Sequence, residues 1–256
     1  MSVNVFPIRA FDDNYIWCLA NQSHCVVVDP GDEVPVLAYI EQNQLVLSAI
    51  LITHHHWDHT DGIDALINAF PDIPVFGPNN PKIKQVTTSL SEGDKLSLPN
   101  IDCDFSVLEV PGHTLDHIAY YGEVGLFCGD TLFSAGCGRL FEGSPLQMHS
   151  SIKKLGALPK DTLVYCTHEY TLANIAFAEA VEPNNQALID YKQWAIEQRN
   201  RDRPTLPSTI GRELSLNPFL RCSNKELILN VKQQMGTASK SESDIFASLR
   251  SWKDNF

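Results

Sequence analysis

The sequence predicts a mixed α/β domain followed by a smaller all-helical domain. Three observations carry that expectation. Short apolar runs alternate with turn residues up to about residue 166, helical spacings take over beyond it, and ligand-type side chains recur just after the predicted strands. Hydrophobic residues make up 43% and charged residues 20% of the 256. That is ordinary globular usage, and it excludes a mainly disordered, collagen-like or coiled-coil chain. A chain of this length buries a sizeable core unaided.

Residues 25–28 are apolar and run into Asp29-Pro30-Gly31, a strand ending in a turn. Residues 45–52 read as a buried strand: short, apolar and followed by polar residues. Ile63, Leu66, Ile67 and Phe70 then recur at helical spacing, with Pro71 as the stop. Residues 73–76 and 103–110 are further strands, and 118–121 and 126–128 form a hairpin across Gly122-Glu123-Val124-Gly125. Residues 163–166 are one more strand. Residues 171–181, 184–201, 225–234 and 241–253 read as helices, with 203–217 as a loop carrying two prolines.

No stretch approaches the ~18 apolar residues of a membrane span, and the first 13 residues show no basic start followed by an apolar run. Seven cysteines without a CxxC pair or regular spacing point to reduced thiols in a cytosol. A net charge of −12 makes the chain a poor polyanion binder. An anionic small substrate would need a local cluster of Arg and Lys.

The most informative stretch is Thr53-His54-His55-His56-Trp57-Asp58-His59, directly after an apolar strand. His54 and His56 alternate, so in an extended segment both imidazoles point to one side. Asp58 continues that side, and His59 turns to the next. Imidazole and carboxylate suit Zn²⁺ and other borderline divalent ions. A triple histidine alone arises by chance or as a surface accident; the added Asp-His at this spacing argues for a site. His113, Asp130 and His168 each follow a predicted strand by a short turn. Alone, each has an ordinary explanation as a satisfied polar residue or a turn Asp. Together with the first motif they make five histidines and two aspartates, enough for two metals. His55 and Trp57 point away from His54 and His56, and packing or hydrogen bonding suits them and His117 better than ligation.

These motifs resemble the metallo-β-lactamase fold superfamily, and within it the hydroxyacylglutathione hydrolase (glyoxalase II) family. The matching stretches run from Phe11-Asp12-Asp13-Asn14-Tyr15-Ile16-Trp17 through residues 53–59, Pro111-Gly112-His113-Thr114 and Gly129-Asp130-Thr131-Leu132-Phe133 to Gly136-Cys137-Gly138-Arg139. They continue through His168-Glu169-Tyr170 and Asn217-Pro218-Phe219 to Arg250-Ser251-Trp252-Lys253-Asp254. The metal motif marks only the superfamily; the Gly-Cys-Gly-Arg loop and the C-terminal Arg-x-x-Lys-Asp are more specific.

The resemblance implies an αββα metallo-β-lactamase-like sandwich, with residues 1–166 as the catalytic domain and 167–256 as a helical glutathione-binding domain. It implies that His54, His56 and His113 hold one metal, that Asp58, His59 and His168 hold a second, and that Asp130 bridges them. Zinc suits these ligands, and iron and manganese are compatible. True metallo-β-lactamases are expected to carry Cys where Asp130 stands, which argues against β-lactam hydrolysis. Asp29 sits where the superfamily supports its metal loop; its ordinary alternative is a turn Asp before Pro30-Gly31. Asp61 stands where the family usually has Gly, and either alters that loop or caps the helix near Ile63.

Two divalent ions ~3.5–4 Å apart supply a hydroxide nucleophile at neutral pH and polarise a carbonyl, with Asp58 orienting the nucleophile. The implied reaction cleaves S-D-lactoylglutathione to D-lactate and glutathione, the second step of methylglyoxal detoxification. Arg139, Tyr170, Arg250 and Lys253 map onto the family's glutathione site, with Phe141 as a further contact, and such cations suit the carboxylates of glutathione. Their ordinary alternatives are a solvated loop charge, a packing ring and a helix C-terminal pair. The expected protein is a cytoplasmic monomer acting on a small molecule, with no nucleic-acid or membrane partner. The rival oxidoreductase is a glutathione persulfide dioxygenase of the same fold using one iron. Asp58, His59 and His168 as ligands to a second metal, together with the helical tail, speak against it. The acidic balance speaks against an RNA-processing nuclease, and a non-enzymatic metal-binding module predicts metal without turnover.

Overall fold

In the computed structural model, which describes residues 3–236 and 241–256, strand β1 (Asn4–Ala10) folds back antiparallel onto β2 (Asn14–Ala20). Phe11 takes a left-handed φ of 50° in the turn between them. Sequence patterning did not expose β1, because Pro7 interrupts it. Proline lacks a donor for the ladder and is tolerated at a sheet edge, where β1 lies.

The chain divides into two compact units, Met1–Glu109 with Asp116–Gly129, and Val110–Leu115 with Asp130–Phe256. In the first, β3 (His24–Val28), helix α1 (Glu33–Asn43) and β4 (Val46–Leu51) follow the hairpin. Helices α2 (Trp57–Thr60) and α3 (Ile63–Ala69) lead to β5 (Val75–Pro78) and β6 (Thr88–Leu90). These strands form one sheet in the order β1-β2-β3-β4-β5-β6, parallel from β3 onward. A second, antiparallel set comprises β7 (Lys95–Ser97), β8 (Asp104–Glu109), β9 (Ile118–Gly122) and β10 (Gly125–Gly129).

Strands β2 to β4 are buried along nearly their whole length, which is why they read as continuous apolar runs rather than alternating ones. One face carries Cys18, Val27 and Ile50 against Val36 and Ile40 of α1 and Ile63 and Leu66 of α3. Toward the second sheet, the Tyr120 hydroxyl of β9 donates to the Ile52 carbonyl at 2.8 Å. The helix α1 escaped the sequence reading because its apolar face is mixed, with Val34 exposed. Its start is nonetheless marked by Asp32, whose carboxylate accepts from the Val34 N–H.

The second unit adds the short hairpin β11 (Leu132–Phe133) and β12 (Gly136–Cys137), helix α4 (Pro145–Gly156) and β13 (Leu163–Cys166). Helices α5 (Thr171–Val181) and α6 (Gln186–Asn200) come next. The short strand β14 (Ser208–Thr209) and helix α7 (Ile210–Leu216) then correct the expected loop over 203–217. Thr209 supplies the cap, its hydroxyl accepting from the Arg212 N–H. A 3-10 turn (Pro218–Leu220), α8 (Lys225–Met235) and α9 (Glu242–Asp254) complete the unit. Helix α4 starts with a reciprocal cap between Ser144 and Gln147 and Pro145 in its first turn, a signal that was present in the sequence.

Ile175, Ala178, Leu188, Tyr191, Ala195 and Leu216 form the core shared by α5, α6 and α7. Leu188→Ala should cost ~2–5 kcal/mol through the cavity it leaves. Leu229→Ala, on the exposed side of α8, should change stability by less than ~0.5 kcal/mol. Urea unfolding of the two variants checks the contrast.

Candidate metal centre

In the first unit the centre is built from the ends of β3 and β4. Asp29, just past β3, is buried and holds a left-handed φ of 54°. Its Oδ1 accepts the Thr53 N–H at 2.7 Å, and its Oδ2 accepts the Thr53 hydroxyl at 2.7 Å and faces His59 Nδ1 at 3.0 Å. A carboxylate that accepts from this nitrogen fixes the His59 proton on Nδ1. The Thr53 hydroxyl, its proton given to Asp29, accepts from His54 Nδ1 at 3.0 Å. Each imidazole therefore turns a lone pair outward from Nε2. His54 Nε2 then lies 3.1 Å from His56 Nδ1, and His59 Nε2 lies 3.5 Å from Asp58 Oδ2.

Asp58 is in turn held by the Asn14 side-chain amide at 3.1 Å. Gly31 lets its turn lie directly on this loop, since a Cβ there would fall 1.9 Å from the Asp58 carbonyl oxygen. Asp29, His54 and His59 also bring donor atoms within 4.8 Å of one another. Because the Asp29 oxygens already accept three donors, its role is to orient rather than to ligate.

In the second unit Asp130 stands between two imidazoles: its Oδ2 is 3.4 Å from His113 Nε2 and its Oδ1 is 3.3 Å from His168 Nε2. All three side chains are buried. His113 Nδ1 lies 2.7 Å from the Arg139 carbonyl, which only accepts, so Nε2 again carries the lone pair. A carboxylate with one oxygen toward each of two imidazole nitrogens has the arrangement of a bridge between two cations. The donors in both units, imidazole nitrogens and carboxylate oxygens, fit borderline divalent ions.

The segment from Asp130 to Arg139 is pinned by side chains from the helices. Asn217 Nδ2 donates to the carbonyls of Phe133 and Gly136 at 3.1 and 2.9 Å, and Asn174 Nδ2 donates to Ser134 at 2.9 Å. Glu213 accepts the Ala135 N–H at 2.8 Å. Burial pushes the Glu213 carboxyl up, and hydrogen bonds from Ser208, Ala135, Asn217 and Ser134 pull it back.

Of the residues expected to face substrate, Tyr170 stacks on the His168 ring at 4.7 Å and is half-exposed. Phe141 is exposed and presents its edge or face to His113 at 5.2 Å. Arg139 is exposed, 3.9 Å from Asp254 and 5.9 Å from the Phe141 ring centre. Lys253 donates to Asn174 Oδ1 and is largely buried; burial, helped by the charge of Arg250, brings its ammonium down to about 8. Arg250 is buried against the Cys137 and Gly138 carbonyls.

His55 bonds Asp116 at 2.9 Å and meets the Lys82 ammonium at 2.9 Å, Trp57 lies exposed against Phe11, and His117 stacks on His54 at 4.5 Å. The capping role weighed for Asp61 is overturned: Gly62 is the N-cap of α3 and no side chain caps it. Sequence reasoning assigned no role to Asn14, Thr53, Asn174, Glu213 or Asn217. Only Asn14, Thr53 and Asn217 lay inside the matching motifs.

Residues 169–256 match the family described as Hydroxyacylglutathione hydrolase C-terminus, and residues 10–82 match the Metallo-beta-lactamase superfamily. A hydroxyacylglutathione hydrolase of Nitrosomonas eutropha is 52% identical over 254 residues, 99% of each chain. One of Aliivibrio fischeri is 50% identical over 257 residues, 99% of this chain and 100% of its own. The solved structure of TTHA1623 in a di-iron-bound form is 26% identical, with a TM-score of 0.60 over 84% of this chain and all of that one. The metallo-β-lactamase fold with a helical C-terminal region is thus the fold of this chain. No helix among the described residues is long and apolar enough to cross a membrane.

Asp29→Asn keeps the shape of the side chain but removes the acceptor that fixes His59. It should lower divalent-metal affinity roughly 10–100-fold while leaving the circular dichroism spectrum intact. Chelator competition measures the loss.

Proposed function

The chain belongs to the hydroxyacylglutathione hydrolase family, and from that premise we propose that it hydrolyses S-2-hydroxyacylglutathione thioesters. S-D-lactoylglutathione would give D-lactate and glutathione. The observation that carries this reading is Asp130, whose two oxygens each face the Nε2 of a buried histidine, His113 on one side and His168 on the other.

We assign His54, His56 and His113 to one ion, Asp58, His59 and His168 to a second, and Asp130 to both, with Zn²⁺ as the first choice of metal. Bound divalent ions supply water activated to nucleophilic strength at neutral pH and polarise the thioester carbonyl. Asp58, held by the Asn14 amide, orients the attacking water. The glutathione thiol, with an ordinary pKa of ~8.5, departs without a strong acid beside it.

We assign substrate binding to Arg139, Phe141, Tyr170, Arg250 and Lys253. The exposed Arg139 and the desolvated Lys253 offer two cations to a substrate that carries two carboxylates. Tyr170 and Phe141 flank His168 and His113 and give the apolar walls. Seven buried free thiols accord with a reducing compartment, and we place the protein in the cytosol acting as a monomer on a small molecule.

Asp130→Ala should lose bound metal and thioester hydrolysis together. Full activity with S-lactoylglutathione in that variant would remove Asp130 from the centre. A second expectation concerns pH. The Lys253 ammonium, at about 8, is charged below that value and neutral above it, so its pull on a carboxylate fades as pH rises through 8. The ratio of kcat/KM for S-lactoylglutathione to that for a simple thioester should therefore fall above pH ~8. Lys253→Met should flatten this limb. An unchanged limb in the variant would assign it to another group.

A further inference from the structure

Two aromatic rings stand in the open beside the first unit's half of the centre, and the roles assigned above leave them unused. Phe11 is 47% exposed and Trp57 is 61% exposed. They meet edge to face, with ring centres 5.2 Å apart. Burying an aromatic ring is strongly favourable, so two touching rings left in water offer a contiguous apolar face to a ligand. Trp57 opens helix α2, its carbonyl accepting the Asp61 N–H at 2.9 Å. Its neighbours His56 and Asp58 are partly exposed, whereas His54 and His59 are buried. The side of this loop open to an incoming molecule therefore runs along His56, Trp57 and Asp58.

Phe11 is brought there by its turn. The hairpin closes at the Ala10–Asn14 pair, and the Asn14 amide donates to Asp58 Oδ2 at 3.1 Å and lies 3.5 Å from the Asp58 carbonyl. One end of the turn is thus tied to the residue assigned to orient the attacking water, while the Phe11 ring lies against Trp57. Phe11 holds a left-handed φ of 50°, which Gly or Asn adopts more readily than an aromatic residue. The needs of the turn therefore do not select a phenylalanine, and backbone held this way concentrates at functional sites. Charge narrows what the face takes. Residues 11–14 contribute Asp12 and Asp13 and no cation, and the cations assigned to glutathione belong to the second unit. An apolar face beside two acidic residues repels the glutathione carboxylates and suits an uncharged apolar group.

We propose that Phe11 and Trp57 form the wall that meets the acyl substituent of the thioester and sets its selectivity. The wall favours 2-hydroxyacyl groups that carry an aromatic or other bulky apolar substituent over the lactoyl methyl. The inference rests on the proposed hydrolase reading and deepens it. A methyl group covers little of either ring, whereas a phenyl group buries apolar area on both and completes an edge-to-face contact. Trp57 supplies the larger surface; Phe11 extends it and holds the indole in place.

The test measures kcat/KM for S-mandeloylglutathione and S-lactoylglutathione in the zinc-loaded wild type, Trp57→Ala, Trp57→Phe and Phe11→Asn. Asn accepts the left-handed φ, so the turn is kept while the ring is lost. A disturbance of His56 or Asp58 slows both substrates alike and cancels in the ratio of the two constants, whereas loss of the wall does not. Trp57→Ala should lower the mandeloyl-to-lactoyl ratio roughly tenfold and Phe11→Asn roughly threefold, with Trp57→Phe between wild type and Trp57→Ala. A ratio that stays at the wild-type value in Trp57→Ala, or rises because a bulky ring had been excluding the phenyl group, would overturn the proposal. A second measurement follows tryptophan emission of the zinc-loaded protein as D-mandelate or D-lactate is added. Mandelate should change the emission more than lactate, and the difference should vanish in Trp57→Phe; equal responses to the two acids would count against the wall. A wild-type protein that hydrolyses neither thioester would sink the proposed function, while the mandelate titration would still decide whether these rings receive the substituent.

Discussion

An imidazole binds a cation through one nitrogen only, and the protein chooses which by engaging the other. The rest of the centre depends on that choice. Asp29 makes it for His59 directly and for His54 through the Thr53 hydroxyl; the Arg139 carbonyl makes it for His113. In each case the proton sits on Nδ1 and Nε2 is left to bind. Hydrogen bonds to charged acceptors such as Asp29 contribute about 1.5–3 kcal/mol each. They are worth more here for removing the wrong tautomer and ring flip than for stability. The cost appears in the backbone, where Asp29 is held at a positive φ that a non-glycine residue adopts only under constraint.

The same logic explains why so many helix-borne side chains converge on a loop that none of them catalyses from. Between Phe133 and Arg139, Asn217, Asn174, Glu213 and Arg250 satisfy five carbonyls and one N–H. Buried backbone groups need partners, and an irregular segment with only one short hairpin cannot provide them internally. Side chains from α5, α7, α9 and the residue after α7 stand in for a sheet. Glu213 shows what this demands: a buried carboxylate is tolerable only while its hydrogen bonds outweigh desolvation.

Much of this was legible in the sequence. Buried central strands announce themselves as apolar runs, and candidate ligands that follow such runs at short intervals stand out because the spacing has few other uses. The motif around His54 and His56 and the residues His113, Asp130 and His168 were visible in that way. What was not visible follows a common physical pattern. Asn174 and Glu213 lie on helices where an isolated polar residue looks like a solvated face, and only the fold shows each to be buried. Helix α1 and strand β1 were hidden by an exposed valine and an edge proline. Arg250 was legible as a cation but not as a buried one. Sequence spacing alone cannot distinguish a guanidinium that meets solvent from one that meets a carbonyl.

That distinction bears on how a chain of net charge −12 could take an anionic substrate. Beyond about 8 Å, physiological salt screens the overall field, so the outcome rests on a few local cations and on their hydration. Lys253 is the informative one. With its ammonium brought down to about 8 by burial, it is strained in the charged form until an anion arrives. A carboxylate beside it favours the protonated state, and the proton is held more tightly in the complex than in the free protein. By linkage, the anion is bound more tightly wherever that proton is already present. Below pH 8 the lysine is charged in advance, and binding uses an ammonium already stripped of much of its water. A fully hydrated surface lysine would have to lose that water on binding. On the proposed assignment of Lys253 to the substrate, partial burial of this one cation gives an acidic protein a selectivity for a carboxylate that surface charge would not.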